Sequence, residues 1–183
     1  VTLARRGDSG NGLLWVLTPL LVPLPGIRWI RKWNGWLYSI LARYWARRLG
    51  FQDPVLLNYT PVLADAMNYW KTTASGTVVY HCVDRWDAFG MYDATMMTAA
   101  DAQCCRTADV IIASAHTLAE RCRLLNSNTH LVLHGVDYEH FATTLTHAGD
   151  PRPADLPAGP IIGFFGLLSE WLDQELVRQL ALS

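Results

Sequence analysis

Four prolines fall within ten residues: Pro151, Pro153, Pro157 and Pro160. Each fixes φ and removes an amide, so neither a helix interior nor a central strand can run through this stretch. The stretch therefore reads as a linker. Directly after it comes Ile161-Ile162-Gly163-Phe164-Phe165-Gly166-Leu167, an apolar run ended by glycine, with the character of a strand that opens a nucleotide-binding type of domain. The expected organisation is a first domain over 1–150, a linker over 151–160, and over 161–183 the first strand and part of a helix of a second domain, most of which would lie past Ser183.

Residues 1–150 suffice for a hydrophobic core, and a chain that is 51% apolar and 17% charged is not disordered. Residues 1–12 are polar, hold no apolar run of signal-peptide length, and fit a chain cut or restarted upstream. The longest apolar runs, such as Leu13-Leu14-Trp15-Val16-Leu17, fall far short of the roughly 20 residues that cross a bilayer. Cys82, Cys104, Cys105 and Cys122 have no CxxC or metal-ligand spacing and read as reduced thiols of a cytoplasmic protein. No metal site is expected. The net charge of -1 conceals an asymmetry: residues 1–50 hold eight basic side chains and one acidic, residues 51–183 seven basic and fifteen acidic.

Strand and helix signals alternate. Residues 13–17 read as a buried strand, succeeded by a loop with Pro19, Pro23 and Pro25. A helix then runs from about Ile27 to Gly50, with Trp29, Trp33, Trp36, Leu37, Ile40, Leu41, Tyr44 and Trp45 at spacings of three and four. Strands are expected at 55–59, 77–80, 110–113 and 130–133, and a short helix after Pro61. Asp93 should cap a helix to about Thr107 that buries Met97, Ala100 and Cys104, and Ser114 a helix through Leu124. Apolar strands separated by helices point to an α/β fold with a doubly wound parallel sheet. About five strands before the linker leave it incomplete at the N-terminus.

In such a sheet ligands bind beyond the carboxyl ends of the strands. Three loops qualify. In His81-Cys82-Val83-Asp84-Arg85-Trp86-Asp87, an imidazole could take a proton from a hydroxyl while a carboxylate orients it; equally, Asp84 could cap the next turn and Trp86 could pack. In His134-Gly135-Val136-Asp137, Gly135 permits a tight or left-handed turn and Asp137 can accept amide hydrogen bonds. In Gly163-Phe164-Phe165-Gly166, a small residue lets a phosphate approach backbone amides. His116 and His130 read as packing residues. The aromatic helix, flanked by Arg28, Arg31, Lys32, Arg43, Arg47 and Arg48, could lie on an anionic membrane surface or pack as a core helix with a cationic edge. Nucleic acid is the poorer partner, because the rest of the chain is acidic.

Four groups of residues carry a family resemblance: Trp15-Val16-Leu17-Thr18-Pro19; Val79-Tyr80-His81-Cys82-Val83-Asp84; Ala108-Asp109-Val110-Ile111-Ile112-Ala113-Ser114; and His134-Gly135-Val136-Asp137 with His140-Phe141, ahead of the proline-rich linker and 161–166. Over about residues 11–180 the chain resembles a bacterial family 4, GT-B type glycosyltransferase, spanning most of the first Rossmann-like domain and the first strand of the second. The resemblance implies retaining transfer of a sugar from a nucleotide-sugar to a saccharide or lipid-linked hydroxyl, at the inner face of the plasma membrane, with no cofactor beyond the nucleotide-sugar co-substrate and no required divalent metal. It implies catalytic roles for His81 and Asp84, acceptor-side positions for Arg85, Trp86 and Asp87, a donor-phosphate loop at Gly163 and Gly166, and a turn before the linker at His134, Gly135 and Asp137. Arg85 stands where relatives usually carry an acid, and His134 where asparagine is frequent. The alternatives are a non-catalytic membrane-peripheral or partner-binding α/β domain and a nucleotide-sugar epimerase of the same architecture.

Overall fold

The structure is a computed structural model that describes residues 2–8, 13–24, 26–73, 76–146 and 172–182, with Leu156, Gly159, Ile161, Gly163, Phe164, Gly166 and Leu168. The chain divides into two compact units, Val1–His134 and Gly135–Ser183. The first holds a parallel sheet of β3 (Leu56–Asn58), β4 (Val78–Cys82), β5 (Val110–Ala113) and β6 (Thr129–Leu131), in that spatial order. The connecting helices are α2 (Ala64–Thr73), α3 (Ala94–Thr107) and α4 (His116–Arg123). The parallel α/β reading therefore stands.

A doubly wound sheet carries helices on both faces, and among the described residues only one face does. Parallel crossovers are right-handed, so a strand order that never reverses lays successive helices on the same side. Val78, Tyr80, Cys82, Ile111 and Ala113 form the core with Met67 and Trp70 of α2, Cys104 and Cys105 of α3, and Leu118 and Cys122 of α4. The alternate residues are less covered: Val79, His81, Val110 and Ile112 are half-buried, Leu57 and His130 exposed. The strand alternation that fills one face leaves the other open.

Residues 13–17 do not join this sheet. β1 (Thr2–Asp8) and β2 (Leu13–Thr18) pair antiparallel as a separate hairpin, with Leu3 opposite Leu17 and a register shift between Arg5 and Asp8. A hairpin strand needs a partner on one edge only, which the polar 2–8 segment supplies, and Leu14 and Val16 remain exposed.

The long helix is present as α1 (Arg28–Arg48), with Arg47 and Arg48 in its last turn, where cations favour the helix dipole. Gly50, at φ 78, ends it, and the amides of Gly50 and Phe51 reach back to the carbonyls of Arg47 and Ala46. It packs on α2, Gly35 lying against Asp65 and Ala66. Among the described residues no helix is long and apolar enough to cross a membrane.

Other local readings hold, with shifted ends. Asp93 Oδ1 accepts the Met96 amide at 2.6 Å as the α3 cap, and Met97, Ala100 and Cys104 are buried. Ser114 caps nothing: its hydroxyl donates to the Val83 carbonyl at 3.1 Å, tying the end of β5 to the chain after β4, and Ala115 occupies the cap position of α4. His116 and His130 are exposed rather than packed. At the amino end of the sheet Asp109 accepts Lys71 Nζ at 2.7 Å and the Val78 amide at 2.8 Å. These bonds hold its carboxyl below the usual range.

The second unit contains α5 (Tyr138–Thr146) and α6 (Gln174–Leu182). Of the expected 161–167 strand, Ile161, Gly163, Phe164 and Gly166 are irregular, and Ile162, Phe165 and Leu167 lie outside the described residues, as does the linker apart from Leu156 and Gly159.

Candidate functional site

β4 is longer than its sequence signal. It runs through His81 and Cys82, so His81 belongs to the strand and not to the loop after it. Strand alternation then decides its side: Cys82 enters the core, and His81 turns to the open face at the carboxyl end. Its ring meets that of Tyr59, which comes just after β3, with centroids 4.9 Å apart and planes inclined at 54°. Asn58 shapes that turn, its amide donating to the Thr60 carbonyl at 2.9 Å and its side-chain oxygen facing the Thr60 amide at 3.3 Å. Partial burial, and then the proximity of His134 after β6, lower the His81 pKa from its ordinary value. The neutral imidazole, with a lone pair that can accept a proton, is the favoured form at neutral pH.

The charged loop after β4 does something else. Arg85 forms a fork onto Asp87 at 2.9 and 2.6 Å. Arg121 of α4 lies 3.6 Å from the same carboxylate and 3.2 Å from Asp101 of α3. Asp101 in turn accepts the Tyr80 hydroxyl at 2.6 Å. Hydrogen bonding from Arg85 holds Asp87 below the usual carboxylate range. Asp87 thus braces the loop against α3 and α4. Trp86 packs beside Phe89 and Tyr92, with its indole nitrogen buried and, among the described residues, unpartnered. Asp84 is exposed, and among the described residues no hydrogen bond joins it to His81 or makes it a cap.

Gly135 lies in open space, without the left-handed backbone allowed for it. Asp137 caps α5, accepting the His140 amide at 3.0 Å. Gly163 and Gly166 belong to the second unit; a side chain at Gly163 would meet nothing nearby, and Gly166 has φ 146 beside the Phe164 ring. No protein-family model matches the chain, and neither a curated protein nor a solved structure matches it. The described residues contain no group of three side chains able to hold a metal ion.

The basic candidates separate as well. Arg31 points to α2, its Nε 3.1 Å from Asp65, and so leaves the set proposed to face a membrane. Lys32, Arg47 and Arg48 are exposed and Arg43 is half-buried. Tyr59 is the site residue that sequence reasoning missed. Its position in the 55–59 run reads as strand, and its one signal is an aromatic side chain immediately before the Thr60-Pro61 turn.

Proposed function

We propose that the carboxyl edge of this sheet is the acceptor side of a glycosyl-transfer site. The observation that carries the reading is the half-buried His81 held against Tyr59 where ligands of parallel sheets bind, with burial lowering its pKa. An acceptor hydroxyl bonds to the unprotonated imidazole nitrogen while its sugar ring lies along Tyr59. As the acceptor oxygen attacks the anomeric carbon on the face that the phosphate leaves, which retains its configuration, the bond to the donor phosphate breaks, the nucleoside diphosphate leaves with that electron pair, and His81 takes the acceptor proton. The family resemblance supplies the donor class, a nucleotide-sugar. Asp84 would help only through charge, since it is not bonded to the imidazole.

The test is nucleoside diphosphate release by the full-length protein from a panel of nucleotide-sugars, with saccharide and lipid-linked acceptors. His81→Ala should lower turnover by about 10²–10⁴ with folding unchanged, and Tyr59→Ala should mainly raise acceptor KM. Activity should fall as acidification protonates His81, with a midpoint below the ordinary histidine value because its pKa is lowered. No transfer with any donor, or full turnover in His81→Ala, overturns the reading. Conversion of the nucleotide-sugar without transfer would replace it with epimerisation.

A further inference from the structure

Trp29, Trp33, Trp36, Ile40 and Tyr44 succeed one another along α1 at intervals of four, three, four and four. At about 100° per residue they stay within an arc of roughly 80°. Arg31, Gly35 and Ala42, which face α2 or the core, lie on the opposite side of the helix. The aromatic stripe is therefore the unpartnered face among the described residues, with Trp29 70%, Trp33 45%, Trp36 45% and Tyr44 54% exposed. Just ahead of the helix Leu20, Val22, Leu24 and Ile27 are exposed too. Asn34 holds that loop to α1, accepting the Val22 amide at 3.1 Å and donating to its carbonyl at 2.8 Å.

Charge identifies what covers this face. Residues 9–52 contain no Asp or Glu and six Arg or Lys. Lys32, Arg43, Arg47 and Arg48 flank or enter the stripe. Beside it is a shallow depression of about 410 Å³ lined by Ile40, Arg43, Tyr44, Arg47 and Arg48. Within this group Arg43 Nε is shielded from water and has no hydrogen-bond partner among the described residues. A second copy of the chain would bring the same cations against these and be repelled. An anionic lipid surface supplies phosphates for the guanidinium groups and an interfacial zone for tryptophan and tyrosine, whose rings are apolar at one end and hydrogen-bonding at the other.

We propose that α1 is a membrane-docking helix, lying in the plane of an anionic bilayer with Trp29, Trp33, Trp36, Ile40 and Tyr44 in the interface and Arg43, Arg47 and Arg48 on lipid phosphates. Six cations rule out a transverse placement, and the rotation of the helix is set by Gly35 and Arg31 on α2. The inference is independent of any catalytic role of His81.

The test is co-sedimentation of the full chain with vesicles of phosphatidylcholine alone and of phosphatidylcholine with 30% phosphatidylglycerol. Partitioning should favour the anionic vesicles by at least tenfold at low salt and collapse at high salt. Each interfacial cation should contribute about fivefold, so replacing Arg43, Arg47 and Arg48 together by glutamine should lower binding on the order of 100-fold. Trp33→Ala with Trp36→Ala should also abolish binding while far-UV dichroism stays unchanged. Arg106→Gln on α3, an exposed cation away from the stripe, should have no effect and so separates local recognition from net charge. Equal binding to both vesicles, loss of binding in Arg106→Gln equal to that of an α1 arginine, or no binding by a folded chain would each overturn the proposal. So would self-association in sedimentation velocity that the tryptophan pair abolishes, because the stripe would then serve a second copy.

Discussion

Replacing Gly35 by alanine sets two physical effects against each other. In a helix interior alanine is favoured over glycine by up to about 1 kcal/mol, so propensity alone predicts a more stable protein. The packing of α1 on α2 predicts the reverse. A Cβ at position 35 would lie 2.8 Å from both the Ala66 amide nitrogen and Asp65 Cβ, and 2.9 Å from the Asp65 carbonyl carbon. These are backbone atoms and a Cβ, none of which can swing away. Reaching the 3.4 Å of ordinary contact from 2.8 Å requires the helices to part by about 0.6 Å. The same movement would take the Arg31–Asp65 pair, 3.1 Å apart, beyond hydrogen-bond range. Overpacking costs roughly 1–3 kcal/mol, and weakening a half-buried ion pair adds to it, so after the gain in propensity the net loss should be about 2 kcal/mol. With a urea slope of about 2 kcal/mol/M, the midpoint should fall by about 1 M with the slope unchanged. Equilibrium urea unfolding monitored by far-UV dichroism measures it. A midpoint that stays level or rises would show that α1 does not approach α2 this closely, and would remove the basis for the orientation of the aromatic stripe.

Tyr80→Phe deletes a buried donor to Asp101 and leaves that carboxylate with Arg121; unfolding experiments should show a loss of about 1.5–3 kcal/mol, and a loss under about 0.5 kcal/mol would mean the brace stands without Tyr80. All four cysteines are buried. Burial first raises the Cys104 thiol, contact with Cys122 first raises that of Cys82, and contact with Cys105 first raises Cys122 to about 12. A thiol reagent at pH 8 should therefore label none in the native chain and all four in denaturant, and rapid labelling of one in the native chain would contradict the core packing.

Much of the local structure is legible in the residues themselves. Asp93, Gly50 and the apolar runs at 77–80 and 110–113 carry their signals within a few positions, because capping, left-handed backbone and strand propensity act over that range. The periodicity of α1 likewise determines that Trp29, Trp33, Trp36, Ile40 and Tyr44 share a face. It does not determine whether that face turns inward, because the same spacing serves a core helix and an interfacial one; Gly35 decides that by admitting α2 on the other side. Ser114 and Asp87 show the same division. The Ser114 hydroxyl announces a hydrogen bond and the Asp87 carboxylate a cation beyond its neighbour Arg85, but the Val83 carbonyl and the Arg121 guanidinium that answer them lie more than thirty residues away in the chain, and only the parallel order of β4 and β5 brings them together. His81 depends on tertiary structure most of all. The extent of β4 and the unreversed strand order put it on the uncovered face, Asn58 places Tyr59 beside it, and the resulting burial, together with His134, lowers its pKa. The residue is visible in the sequence as a histidine near the end of a strand, whereas its lowered pKa and its aromatic neighbour arise from segments that meet only in the folded sheet.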